Sequence, residues 1–136
     1  MRRRQLLGNI EPILLIAIGG FAGANARYAV DVLIPGSLTS TFAVNVVGSF
    51  ALGVLVYDSL RDDVIHDNSR LVFGTGFLSS FTTYSMFVLD AVTDPEIALL
   101  YIGGSYVCGF GAVFLARGTV QWLEPTDETE ADMEAS

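Results

Sequence analysis

Between residues 79 and 87 the chain reads Ser79-Ser80-Phe81-Thr82-Thr83-Tyr84-Ser85-Met86-Phe87. Five Ser and Thr hydroxyls and one phenol stand in a segment otherwise apolar enough to cross a bilayer. Hydrocarbon gives a hydroxyl no partner and leaves a weakened backbone no water. The run must therefore face protein or a water-filled path. Thr75, flanked by Gly74 and Gly76, extends it on one side. Such residues suit the lining of a route for something polar.

Two further segments share this character. Thr41, Asn45 and Ser49 recur every four residues and so stack on one helical face. Asn45 alone reads equally as an interhelical hydrogen bond worth about 1–2 kcal/mol or less. The hydroxyls above and below it favour a polar stripe. Tyr101, Ser105 and Gly109 repeat the spacing, and there a close-packed small-residue face fits as well as a polar track. In the first apolar segment, Gly19 with Gly23 and Gly20 with Ala24 form small-xxx-small pairs that suit close helix packing. Arg27 lies in the same segment, where a charge costs about 2.5–3.5 kcal/mol near a helix centre. It reads either as a snorkelling side chain paired with Asp31, one turn on, or as an anion-attracting vestibule.

Nothing in the chain supports bond-making chemistry. His66 lies alone in a polar loop, Cys108 is the only cysteine, and no Ser shares an apolar segment with a His. A phosphate loop, zinc-type spacing and a basic nucleic-acid surface are all missing from the sequence. Cys108 reads as a small buried packing residue.

The elements that must hold these groups are membrane spans. The chain has 136 residues, of which 51% are hydrophobic and only 16% charged. Its mean hydropathy is +0.52, too apolar for an ordinary soluble domain of this size. Four stretches approach the ~20 residues needed to cross a bilayer core: about 12–34, 38–57, 71–92 and 97–116. Short connections leave no room for a separate catalytic domain. The expected organisation is an all-α integral membrane domain over residues 1–118, followed by an acidic disordered tail over 119–136. Glu124, Asp127, Glu128, Glu130, Asp132 and Glu134 make that tail too polar to pack. With a net charge of −8 and no lysine, it would suit a high-salt cytoplasm. Met1-Arg2-Arg3-Arg4 has the look of a twin-arginine export signal, but three further spans favour a basic anchor.

Four spans put both termini and the 61–70 loop on one side. Arg2, Arg3, Arg4, Arg61, Arg70 and Arg117 all fall there, and the opposite loops hold none. The positive-inside rule therefore predicts cytoplasmic termini.

The three polar patches, in this order, resemble the small fluoride channels of the Fluc/CrcB family. The matching signatures are the run from Gly19 to Tyr28, the run from Thr41 to Phe50, and the run from Gly76 to Phe87. The likeness covers roughly residues 14 to 118. It implies an antiparallel, dual-topology-type dimer in the plasma membrane, with two fluoride pores at the interface and a structural sodium ion at the two-fold centre. It also implies a third helix broken in mid-membrane, with the carbonyls of Ser79 and Thr82 on the sodium. Asn45, Thr41, Tyr84, Phe87, Thr83, Ser105 and Tyr101 would line or bind the fluoride path, and Arg27 would sit in its vestibule. Compact donors suit a small, tightly hydrated anion, and aromatic ring edges are positive where their faces are not.

The chain also departs from that family. Ser79 and Ser80 stand where two glycines are usual, Tyr84 replaces a phenylalanine, Met86 a threonine, and Asp90 a glutamate. Single-gene members resemble proteins that insert both ways with balanced flanking charge, whereas here the arginines are six to none. That bias points to pairing with a homologous, oppositely oriented chain, with an antiparallel homodimer of this chain as the alternative. Two other classes compete. A small multidrug exporter would need a carboxylate inside the first span, and a non-transporting assembly subunit would leave the Thr41-Asn45-Ser49 stripe unexplained.

Overall fold

The computed structural model of the chain describes residues 2–61 and 65–123. Every regular element among them is helical: α1 (Arg2–Leu33), α2 (Ser37–Arg61), α3 (Asp67–Arg70), a π-helical segment (Leu71–Leu78), α4 (Ser79–Phe81), α5 (Tyr84–Thr93) and α6 (Ala98–Leu123). Four stretches are long and apolar enough to cross a membrane: Ile10–Leu33, Ser37–Leu60, Asp67–Thr93 and Ala98–Leu123. The chain is a multi-pass membrane protein.

The span boundaries fall within a few residues of expectation except at the end. There α6 runs on to Leu123, five residues into the segment read as tail, because no proline or charge interrupts Gly118 to Leu123. The acidic residues 124–134 lie outside the described residues.

Between α1 and α2 the chain reverses at Pro35-Gly36. Gly36 has φ +97°, a left-handed conformation that a side chain would strain. On the other side of the membrane, Arg70 closes the connection into the third span. Its Nη2 donates to Asp58 Oδ2 at 3.0 Å and its Nε to the Ile65 carbonyl at 3.0 Å. The Ile65 N–H donates to the same Asp58 oxygen at 3.1 Å.

The closest packing is between α1 and the π-helical segment. A Cβ on Gly19 would collide with the Val72 carbonyl oxygen, and one on Gly23 with that of Phe77. A Cβ on Gly76 would lie 2.7 Å from the Ile16 carbonyl oxygen. The small-xxx-small pair in the first span therefore does the packing its spacing suggests, with backbone against backbone. On the other side of the molecule α2 lies along α6, where Gly53 accepts Ala116 and Val113.

Large apolar side chains cover the exterior, including Leu99, Leu100, Phe114, Leu115 and Trp122. A helix facing lipid has no reason to hide them. Cys108, expected to be buried, is exposed, because α6 turns that side away from α2.

Candidate functional site

The candidate site is built where the third span leaves helical geometry at Thr82 and Thr83. After α4, Thr82 (φ −77°, ψ 158°) and Thr83 (φ −147°, ψ 118°) are extended, and helical geometry resumes at Tyr84. An extended residue sends its own N–H and C=O to the same side. Asn45, on α2, meets both. Thr83 N–H donates to Asn45 Oδ1 at 2.8 Å, and Asn45 Nδ2 donates to the Thr83 carbonyl at 3.0 Å. The carboxamide thus pairs with Thr83 as one peptide unit pairs with another across two strands. Without it, both backbone groups would be left unpaired at membrane depth. This bond takes one of the two amide protons of Asn45.

The same geometry diverts donors from two carbonyls. In an unbroken helix Ser79 C=O would accept from Thr83 N–H, and Thr82 C=O from Met86 N–H. Thr83 N–H instead goes to Asn45. Met86 N–H goes to the Thr83 hydroxyl at 3.3 Å, which caps α5.

Several hydroxyls of the polar patches are also satisfied locally. Thr82 Oγ1 donates to the Leu78 carbonyl at 2.9 Å, and Ser49 Oγ to the Asn45 carbonyl at 2.8 Å. Ser79 Oγ reaches the Thr75 carbonyl and, at 3.1 Å, that of Gly76. Thr83 Oγ1 lies 3.3 Å from Ser85 Oγ. One hydroxyl differs. Ser105 Oγ on α6 is buried and has no hydrogen-bond partner among the described residues.

These groups border a groove of about 510 Å³ between α2, the third span and α6. Asn45, Ser79, Thr82, Thr83, Tyr84, Phe87 and Ser105 all line it, with Gly48, Ser49 and Gly109 beside them. Gly48 is required there, because a Cβ would strike the Thr82 methyl. The aromatic wall is centred on Phe87. Its ring centroid lies 6.1 Å from Tyr84, 5.2 Å from Tyr101 and 6.2 Å from Tyr106, the last pair edge-on at 87°. Tyr84 is 74% exposed. Tyr106 and Phe110, outside the expected lining, continue the wall along α6. Their four-residue spacing was the available signal.

Three expected residues stand apart from the groove. Thr41 is buried, Tyr101 lies beyond Phe87, and Arg27 is half-buried on α1. Among the described residues no ion pair joins Arg27 to Asp31, so the pairing offered by their spacing is not made. Tyr101 OH instead lies 3.5 Å from Asp90 Oδ2, while Ser37 Oγ donates to Asp90 Oδ1 at 2.6 Å. Asp90 is only 5% exposed. A carboxylate in an apolar span is costly and needs such partners. Sequence reasoning noted Asp90 only as a departure in type, although an acid inside a span was itself a signal.

Comparison with known proteins places these features in a family. The family model described as "CrcB-like protein, Camphor Resistance (CrcB)" matches residues 14–117. The chain is 48% identical over 115 residues to "Fluoride-specific ion channel FluC 1" of Haloarcula marismortui, covering 85% of this chain and 90% of that one. It is 45% identical over 112 residues to the protein of the same name from Natronomonas pharaonis, covering 81% and 94%. A bacterial relative, "Fluoride-specific ion channel FluC" of Chlorobaculum tepidum, is 38% identical over 114 residues, covering 77% and 90%. The chain therefore belongs to the CrcB-like family.

Proposed function

We propose that the chain is a fluoride-selective channel through which cytoplasmic fluoride leaves the cell passively. The observation that carries this reading is the Asn45–Thr83 double hydrogen bond. It sits on a groove that also presents an unpartnered buried hydroxyl and the rings of Tyr84, Phe87 and Tyr106. The names of the relatives supply the ion. Asn45 keeps one N–H beyond its bond to Thr83, Ser105 keeps its hydroxyl proton, and Phe87 lines the same groove. These groups offer donors to a compact anion and no carboxylate to repel it. A larger halide meets the same donors at poorer geometry.

The groove is open to the exterior and sets Asn45, Thr83 and Ser105 in a mostly apolar lining, and lipid offers those polar groups no partner. In the channel it is closed by a second, oppositely oriented chain, which gives two pores at an antiparallel interface. The distribution of arginines favours a homologous partner over a second copy in that role, with this chain's termini in the cytoplasm and the pair in the plasma membrane.

The extended residues Thr82 and Thr83 form the mid-membrane break of the third helix. Ser79 and Thr82 carbonyls, relieved of their helical donors, are hard oxygen ligands of the type sodium takes, so the residues fit a shared structural sodium at the interface. When bound, that ion supplies a fixed positive charge beside the anion path. The serine at position 79, where glycine is usual, does not oppose this, because its hydroxyl turns back to the Thr75 and Gly76 carbonyls.

A proton-coupled cation exporter is less well supported. The buried carboxylate, Asp90, is hydrogen-bonded to Ser37 and lies outside the groove lining. Liposomes carrying the protein, with and without a candidate partner chain, test the reading. Fluoride release without chloride release supports the channel, and proton-coupled cation movement supports the exporter.

A further inference from the structure

The helix that carries Phe87 is short and interrupted at both ends. α5 has ten residues, with extended backbone at Thr83 before it and a turn at Asp94 (φ −117°, ψ 69°) after it. A helix set off by such breaks takes its rotation about its own axis from the side chains that hold it. α2 grips it at two points. At its start the Asn45 carboxamide pairs with the Thr83 backbone. Near its end Ser37 Oγ donates to Asp90 Oδ1 at 2.6 Å, the length of a charge-assisted bond. Ser37 is held in turn, since Ser40 Oγ donates to its carbonyl at 3.1 Å.

The two grips match in spacing. Ser37 and Asn45 lie eight residues apart on α2, and Thr83 and Asp90 lie seven apart on the third span. At helical rise these are about 12 Å and about 10 Å. Phe87 falls between the grips, four residues after Thr83 and three before Asp90, so it shares a face of α5 with Asp90. Its ring centroid stands 5.2 Å from that of Tyr101, whose hydroxyl lies 3.5 Å from Asp90 Oδ2. The Tyr101 contact is the longer of the two on the carboxylate, so Ser37 is the anchor.

An apolar residue would fill position 90 without the cost of a carboxylate that is only 5% exposed in an apolar span. We propose that Asp90 is a positioning residue for the anion path: its bond to Ser37 fixes the rotation of α5 and so sets the Phe87 ring in the groove wall. The inference rests on the channel reading. It assigns part of the discrimination between fluoride and chloride to a bond outside the groove lining.

Fluoride and chloride efflux from liposomes holding the full chain and its partner chain, run beside fluorine NMR of 4-fluorophenylalanine placed at position 87, tests it. Asp90→Leu and Ser37→Ala should each move the fluorine resonance. Each should lower the ratio of fluoride to chloride release by roughly tenfold, as expected for loss of a hydrogen bond to a charged group. The two changes together should be no worse than either alone. Asp90→Asn keeps an oxygen that accepts from Ser37 and should preserve both readouts. Ser37→Ala alters an exposed hydroxyl, so it tests the bond even where Asp90→Leu fails to accumulate. A resonance unmoved by Ser37→Ala, or moved with selectivity unchanged, overturns the proposal. So does an Asp90→Asn protein as impaired as Asp90→Leu, which would place the effect in the charge and not in the bond. A wild type that releases no fluoride sinks the channel reading instead, and the resonance still decides whether Ser37 and Asp90 hold the ring.

Discussion

The two halves of the third span are held in opposite ways. From Leu71 to Leu78 the chain lies against α1 through glycine, and what fixes it is the absence of side chains at Gly19, Gly23 and Gly76. From Thr83 onward it is held by the presence of one side chain, the Asn45 carboxamide, together with the rings around Phe87. The first half has no room to move, and its contact is backbone against backbone. The second is a seat whose polar pairing sits beside the groove. A substitution in the first half should therefore damage the fold, and one in the second should damage passage with the fold largely intact.

The largest expected effect comes from filling the glycine contact. Gly23→Val places methyl groups into the Phe77 carbonyl, and no flexible side chain is there to yield. Overpacking of this kind costs about 1–3 kcal/mol and more where backbone must shift. Detergent-solubilised protein should melt well below the wild type or fail to accumulate; an unchanged melting temperature would remove the distinction between the halves.

Asn45→Leu comes next. It deletes both bonds to Thr83, whose N–H and C=O border the open groove, so the cost stays below the about 1–3 kcal/mol each of fully buried groups. Fluoride flux should fall at least tenfold while the chain still folds. Asn45→Asp sharpens the reading. It keeps an acceptor for the Thr83 N–H but sets a carboxylate oxygen against the Thr83 carbonyl, so it too should fail to conduct.

Phe87→Ala should leave association unchanged and abolish selective flux, because the ring at the centre of the aromatic wall is lost. The smallest effect on stability belongs to Ser105→Ala. Removing a buried hydroxyl that has no partner should leave stability unchanged or raise it by up to about 1 kcal/mol. The same change should slow fluoride efflux, and a Ser105→Ala channel conducting at the full rate would take that hydroxyl out of the path.

The difference between the halves also explains what sequence could show. Glycine spacing announced the α1 contact, since close approach demands a missing Cβ wherever it occurs. The stripe of Thr41, Asn45 and Ser49 announced a polar face on α2. It did not announce how the polar capacity is divided. Ser49 and Thr82 return their hydroxyl protons to their own helices, and Asn45 gives half its amide to the backbone of Thr83. Those choices depend on where another span happens to expose unpaired N–H and C=O groups, which no local spacing encodes. Asp90 shows the same limit. Its residue type marked a cost, but its partners Ser37 and Tyr101 lie 53 and 11 residues away in sequence.

Asn45 braces the extended residues of the third span and, in the proposed channel, serves the anion path. Parallel fluoride and chloride efflux from liposomes bearing wild type or Asn45→Leu, in the presence of the partner chain, tests it most directly. Wild-type protein should release fluoride and retain chloride, and Asn45→Leu, shown to be folded and associated, should release neither. Fluoride release by Asn45→Leu at the wild-type rate, or chloride release by the wild type, would contradict it.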